Sequence, residues 1–144
     1  MKIHTFSKQE RLCNRNDFQK LISEGKSFYC YPFKCVYLWK EAESFSAKIA
    51  IAVSKKKFKH AVDRNKIKRR IRESYRLEKG ILYQNFSNTP QNIDILLIYT
   101  ETKICSFLQT KKKTIELINS IIRYEERKKN HLFEEKSEKT SNCL

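Results

Sequence analysis

The stretch VSKKKFKHAVDRNKIKRRIRESYR, residues 53–76, decides how this chain is read. From Lys55 to Arg76 it holds eleven lysines and arginines against two acids, Asp63 and Glu73, a net of +9 in 22 positions. Ile67, Ile71, Ser74 and Tyr75 recur at helical spacing, so the pattern predicts a helix over 62–78 with one side turned to a core. Asn65, Lys68, Arg69, Arg72 and Arg76 gather on another side, with Arg64 near the boundary, and Gly80 is the expected stop. A solvated helix face normally mixes signs so that i,i+4 pairs form. Here like charges repel until a polyanion neutralises them, and phosphate does so with counterion release. A membrane-surface helix needs a broad face of Trp, Phe or Leu opposite its charges. The few apolar residues here are better used to dock the helix on a sheet.

Working outward, FKCVYLWK (33–40) follows Pro32 and reads as a strand. One face carries Phe33, Cys35, Tyr37 and Trp39, the other Lys34, Val36 and Leu38. AKIAIAVS (47–54) is the next strand. Ile49, Ile51 and Val53 point one way, Ala50 and Ala52 the other, and the small residues leave room for a helix or a ligand. YCYP (29–32) is a weak candidate for a further edge segment. IDILLIYT (93–100), after the polar loop QNFSNTPQN, reads as a buried central strand. A first helix is predicted over 15–24. Asn14 is its N-cap, Asp17 the acidic partner of a capping-box-like start, and Phe18, Leu21 and Ile22 its apolar face. Gly25 is expected as its left-handed stop. A last helix begins near 105, with Leu108, Ile115, Ile118, Ile121 and Ile122 on its apolar face. Residues 1–13 read as an extended basic arm, and 128–144 as a charged, disordered tail. Residues 1–127 then form one α+β domain, a two-layer sandwich of three or four strands with helices on one face.

Composition narrows the function. The 144 residues carry a net charge of +15 at 40% hydrophobic content, enough for one modest core. No run of 18 apolar residues and no apolar leader segment is visible, so a cytoplasmic protein is expected. Cys13, Cys30, Cys35, Cys105 and Cys143 are odd in number and lack CxxC spacing, which points to reduced thiols rather than zinc ligands. Asp17, Asp63, Glu73 and Asp94 lie apart in sequence, unlike the clustered carboxylates of a two-metal nuclease. His4, His60 and His131 pair with no nucleophile. No catalytic or metal-binding residue is therefore assigned. Arginine, with its planar fork, dominates the end of the basic helix and suits phosphate, and Asn65 can read a base edge or a 2′-hydroxyl.

VSKK (53–56) followed by AVDRNKIKRRIRE (61–73) resembles the signature of the bacterial ribonuclease P protein subunit. Arg11-Leu12 in the arm, Asp17-Phe18 in the first helix and Asp94-Ile95 in the later strand fit as well, so the resemblance spans roughly residues 6–125. It implies the order α-β-β-β-α-β-α and a left-handed β-α-β crossover, an exception to the usual hand. It also implies a protein that joins a large catalytic RNA and binds the 5′ leader of precursor tRNA, while the RNA and its Mg²⁺ cleave the leader off. Neither a membrane nor an obligate protein partner is implied.

Residue by residue, Arg64, Asn65, Lys66, Lys68, Arg69 and Arg72 would dock on the catalytic RNA, with Ser54, Lys55 and Lys56 beside them. Phe18 would line the leader cleft, with Ile22 one turn on. An aromatic is expected on the first strand, and with Val36 in that register Tyr37 or Phe33 is the candidate. Two departures stand out. Lys66 replaces the family's usual arginine, which keeps charge but loses the bidentate fork. Phe58-Lys59-His60 replaces a loop that usually has a glycine. A ribosomal component or RNA chaperone accounts equally for the charge, but not for this motif spacing.

Overall fold

In the computed structural model, described for residues 6–141 and for side chains as far as Lys128, alternation along the strands builds a sheet with two unlike faces. The start of the arm with His4, the side chain of His131, and Cys143 in the last three residues lie outside the described part. The elements run α1 (Arg15–Glu24), β1 (Lys26–Cys30), β2 (Phe33–Glu41), β3 (Ser46–Val53), α2 (Ala61–Phe86), β4 (Gln91–Tyr99) and α3 (Phe107–Ser141). A short 3₁₀ turn at Lys8–Glu10 precedes them. The sheet order is β1-β2-β4-β3. β2 pairs antiparallel with β1 and β4, and β3 pairs parallel with β4. Parallel neighbours need a crossover, and α2 is that crossover. The expected order of elements is therefore borne out.

One sheet face makes the main core. Phe33, Cys35 and Tyr37 of β2, Ile49 of β3 and Ile93, Ile95, Leu97 and Tyr99 of β4 meet Ile67, Ile71, Tyr75 and Leu82 of α2 and Leu117, Ile118 and Ile121 of α3. The other face carries a smaller cluster, in which Leu12 and Leu21 meet Val36 and Leu96, with Phe18, Leu38, Ala50, Ala52 and Ile98 at its edge. The helices therefore occupy both faces, α2 and α3 on one and α1 on the other, where the sequence suggested a single helical face.

Four local expectations change. First, α2 runs through Gly80 to Phe86. Glycine costs a helix interior about 1 kcal/mol, and burial of Leu82 and Phe86 about two and three turns beyond Tyr75 outweighs that. Second, Gly25 caps α1 in an extended conformation, φ −68°, not a left-handed one. It is needed for space: a Cβ there would stand 2.3 Å from the Leu21 carbonyl oxygen and 2.9 Å from Val36 Cγ1. Third, Asn14 does cap α1, accepting from the Asn16 N–H at 2.9 Å, but the Asp17 carboxylate turns away to Lys40. Fourth, α3 continues past 128 to Ser141. No Gly or Pro interrupts 107–141, and Lys, Glu and Leu are good helix formers. On α3, Ile118, Ile121 and Ile122 are buried as expected, whereas Leu108 is 64% exposed and Thr110 and Thr114 take the first turns of the buried face.

Candidate nucleic-acid interface

At 100° per residue, Asn65, Arg69, Arg72 and Arg76 form one stripe along α2, flanking the buried Ile67–Ile71–Tyr75 face. Asn65, Arg69 and Arg72 are exposed. The stripe does not stand alone. The arm beside α2 brings Arg11 and Phe6 to it, and together with Glu73 these residues enclose a groove of about 370 Å³. Arg11 bridges in parallel to Ile49 at the β3 edge, and the Leu12 N–H donates to the Ile49 carbonyl at 3.0 Å. The Arg11 guanidinium lies 5.5 Å above the Phe6 ring centroid, and Phe6 packs edge-on against Tyr75 at 6.0 Å. Glu10 ties the arm down. Its carboxylate takes the Lys79 ammonium at 2.5 Å and the Tyr83 hydroxyl at 3.2 Å. Lys79 is only 5% exposed. A buried charge needs such a partner, and losing one side of it is costly.

The remaining motif residues are distributed unevenly. Lys66 is exposed but turned about 100° from Asn65 around the helix, off the stripe. Lys68 is half-buried beside the core face. Arg64 Nη1 donates to the carbonyls of Phe58 (2.8 Å) and Lys59 (2.9 Å), so this guanidinium also fastens the preceding loop to α2. That loop replaces its missing glycine with an anchor: Phe58 is buried in the main core against Tyr99, with ring centroids 6.0 Å apart. Ser54 Oγ accepts from the Lys56 N–H at 3.2 Å, which leaves Lys55 and Lys56 exposed at the turn. Arg70 is spent on the Cys105 carbonyl at 2.5 Å, on the side toward α3. Glu73 and Arg76 pair at 2.5 Å, and the guanidinium holds the Glu73 carboxyl below its usual range.

The second site lies on the opposite sheet face. Phe18 is half-buried and Ile22 is 58% exposed on α1, which packs on β2 and β4. Half-buried Ala50, Ala52, Leu38 and Ile98 extend the surface beside it. Phe33 and Tyr37 do not belong here. Strand alternation sends them to the main core, where Phe33 is fully buried against Tyr99 and Tyr37 is 7% exposed against Phe28. Val36 occupies the α1-facing register, so this cleft floor is aliphatic. Lys40 fixes the cleft's geometry by joining Asp17 of α1 (3.0 Å) and Asp94 of β4 (2.7 Å). Burial pushes the Lys40 ammonium down, but the bonds to Asp94 and Asp17 leave it raised overall. Sequence reasoning missed Lys40, Glu10 and Lys79. Their partners lie 23 or more residues away in the chain, and no local pattern announces such pairs.

Among the described residues no three His, Cys, Asp or Glu side chains converge as metal ligands. No helix among them is long and apolar enough to cross a membrane. A crossover helix with an exposed cationic stripe, walled by a pinned arm, defines a class: small basic α+β proteins whose helix surface is suited to a polyanion. The particular family follows from comparison. The model of the Ribonuclease P family matches residues 6–122. The ribonuclease P protein component of Porphyromonas gingivalis is 43% identical over 77 residues, 53% of this chain and 56% of that protein. The component of Thermotoga maritima is 32% identical over 122 residues, covering 81% of this chain and 96% of that one. The solved structure of the Thermotoga maritima protein superposes with a TM-score of 0.59 at 28% identity, covering 76% of this chain and 94% of that one. The match thus spans little more than half the length of the Porphyromonas protein and nearly all of the Thermotoga one. This chain belongs to the ribonuclease P protein family.

Proposed function

We propose that this chain is the protein subunit of a bacterial ribonuclease P and works in the cytoplasm on the 5′ ends of precursor tRNA. The observation that carries the reading is the α2 stripe, Asn65, Arg69 and Arg72, exposed on one side of a helix whose other side is locked in the core. On this reading the stripe, with Lys55, Lys56 and Lys66 around it, docks on the phosphates of a catalytic RNA. The rigid seat of α2 matters because a fixed guanidinium array loses little freedom on binding.

The α1 cleft is the candidate seat for the single-stranded leader. Phe18 offers a ring to stack on, while Ile22, Val36, Leu38, Ala50 and Ala52 supply a sequence-tolerant apolar surface. Holding the leader there favours precursor over product, because only the precursor has that strand to bind. Phosphodiester hydrolysis is assigned to the RNA with its bound Mg²⁺, and the protein's share is charge neutralisation and positioning. The test is stimulation of precursor-tRNA cleavage by the cognate RNA. Tight but unspecific RNA binding without stimulation would favour a ribosomal or chaperone role instead.

A further inference from the structure

The sheet face that carries α1 continues past it. Leu21 of α1 meets Val36 and Leu96. One row further along the strands, the register lines up Tyr29 of β1, Lys34 of β2, Ile98 of β4 and Ala52 of β3. Side chains two apart on a strand share a face, and directly opposed residues do too. These four residues therefore extend the floor of the α1 cleft. Ile98 and Ala52 are half-buried, Lys34 is exposed, and Tyr29 is 62% exposed. An exposed tyrosine alone is ordinary, but this one is held. Its hydroxyl lies 3.3 Å from Thr100 Oγ1, which gives its own proton to the Pro32 carbonyl at 2.8 Å, so Tyr29 is the donor. The side chain thus reaches across β2 to the end of β4. Two cations stand at the same end of the sheet. Lys34 is directly opposite Tyr29, and the Lys57 ammonium donates to the Thr100 carbonyl. The Glu101 carboxylate next in sequence is taken up by the Tyr31 hydroxyl and by the Thr102 N–H at 2.8 Å.

We propose that Tyr29 and Lys34 form a second station for the single-stranded leader beyond α1, where one unpaired base packs on the Tyr29 ring and its phosphate meets Lys34. The proposal rests on the reading of the chain as a leader-binding subunit and adds two residues to it. An aromatic ring holds an unpaired base with little regard to sequence, and an ammonium beside it neutralises the backbone. Together they are the two parts of a single-strand surface. The floor under α1 is aliphatic at Val36, so the sheet supplies its ring one row later, at Tyr29. A ring tethered by its hydroxyl has little side-chain freedom left to lose on binding. Duplex RNA would not use this surface, because its bases are paired and it is met through shape, phosphate and 2′-hydroxyl. A leader seated against Phe18 reaches the station without leaving the sheet face, so affinity should depend on leader length.

The test measures binding of precursor tRNAs, with leaders lengthened one nucleotide at a time, to the complex of this chain with the cognate RNA. Wild type should gain affinity about fivefold or more at the length where a base reaches Tyr29. Tyr29→Ala should lose that gain and keep the affinity for shorter leaders and for mature tRNA. An abasic residue at that leader position should remove the gain in wild type and change nothing in Tyr29→Ala, because both remove the same contact. Tyr29→Phe keeps the ring and should keep most of the gain. Lys34→Ala should flatten the salt dependence for long leaders alone. A gain that survives Tyr29→Ala, or an equal loss for every leader and for mature tRNA, would overturn the station. So would weaker assembly of Tyr29→Ala with the catalytic RNA alone, which would give the ring to that RNA. Cleavage stimulation by the wild-type chain is measured alongside. A chain that stimulates cleavage without a Tyr29-dependent gain refutes the station alone, whereas absence of stimulation refutes the subunit role beneath it.

Discussion

Replacing Lys40 with Met should destabilise the fold and loosen the seat of α1 on the sheet together. The Lys40 ammonium lies 2.7 Å from Asp94 and 3.0 Å from Asp17, and the Asp94 side chain is only 4% exposed. Breaking a buried pair from one side costs about 3–5 kcal/mol, because the other charge is stranded. Lys40 and Asp17 are 24% and 30% exposed, so water recovers part of that. The expected loss is about 2–3 kcal/mol at neutral pH. Urea unfolding should show a lower midpoint with an unchanged slope, since the surface exposed on unfolding stays the same. Adding Asp94→Asn to Lys40→Met should recover most of the loss, because no buried charge then remains unpaired. A Lys40→Met midpoint within about 0.5 kcal/mol of wild type would refute the stranded-charge reasoning. So would a double variant no more stable than the single one.

The same bridge sets an alkaline limit. Lys40 is raised in the folded state, so its contribution is complete below its unfolded pKa and fades as pH rises through the folded value. Wild type should therefore lose stability above about pH 10.5 more steeply than Lys40→Met, and parallel pH profiles would remove Lys40 from the account. Gly25→Ala meets the Leu21 carbonyl with no strain from its φ, so overpacking should dominate at a net of about 1–2 kcal/mol destabilising; an unchanged or raised melting temperature would contradict it. Phe33→Ala should cost about 3–5 kcal/mol. Phe18→Ala should cost far less stability yet weaken binding of precursor relative to mature tRNA, and the opposite ranking would reverse the assignment of strand faces. Arg69→Ala with Arg72→Ala should flatten the dependence of log affinity on log salt by about one unit per lost phosphate contact, and an unchanged slope would take both residues out of the interface.

The sequence made the elements legible wherever periodicity was long and unbroken. Ile67–Ile71–Tyr75 marked the buried side of α2, and Ala50 and Ala52 marked a sheet face with room for a further helix or a ligand. What it hid was settled by distant packing. Gly80 looks like a helix end until Leu82 and Phe86 find the core beyond it. Phe33 and Tyr37 look like platform aromatics until the strand's register sends them inward and leaves Val36 facing α1. Only the apposition of α1 to one sheet face decides between those two readings, and no local pattern encodes it. Of the site, the α2 stripe was readable because it lies within one helix. The wall that Phe6 and Arg11 add, and the Glu10–Lys79 pair that pins it, join residues up to 69 positions apart.

The central claim is that this chain serves a catalytic RNA and performs no cleavage itself. The most direct measurement is 5′ cleavage of a precursor tRNA by the cognate ribonuclease P RNA at low Mg²⁺. It compares reactions with the chain, without it, and with the chain alone. The account predicts strong stimulation that depends on the RNA, no product from the protein alone, and a stimulation reduced by Arg69→Ala with Arg72→Ala. Absence of stimulation, or leader removal by the protein without RNA, would contradict it.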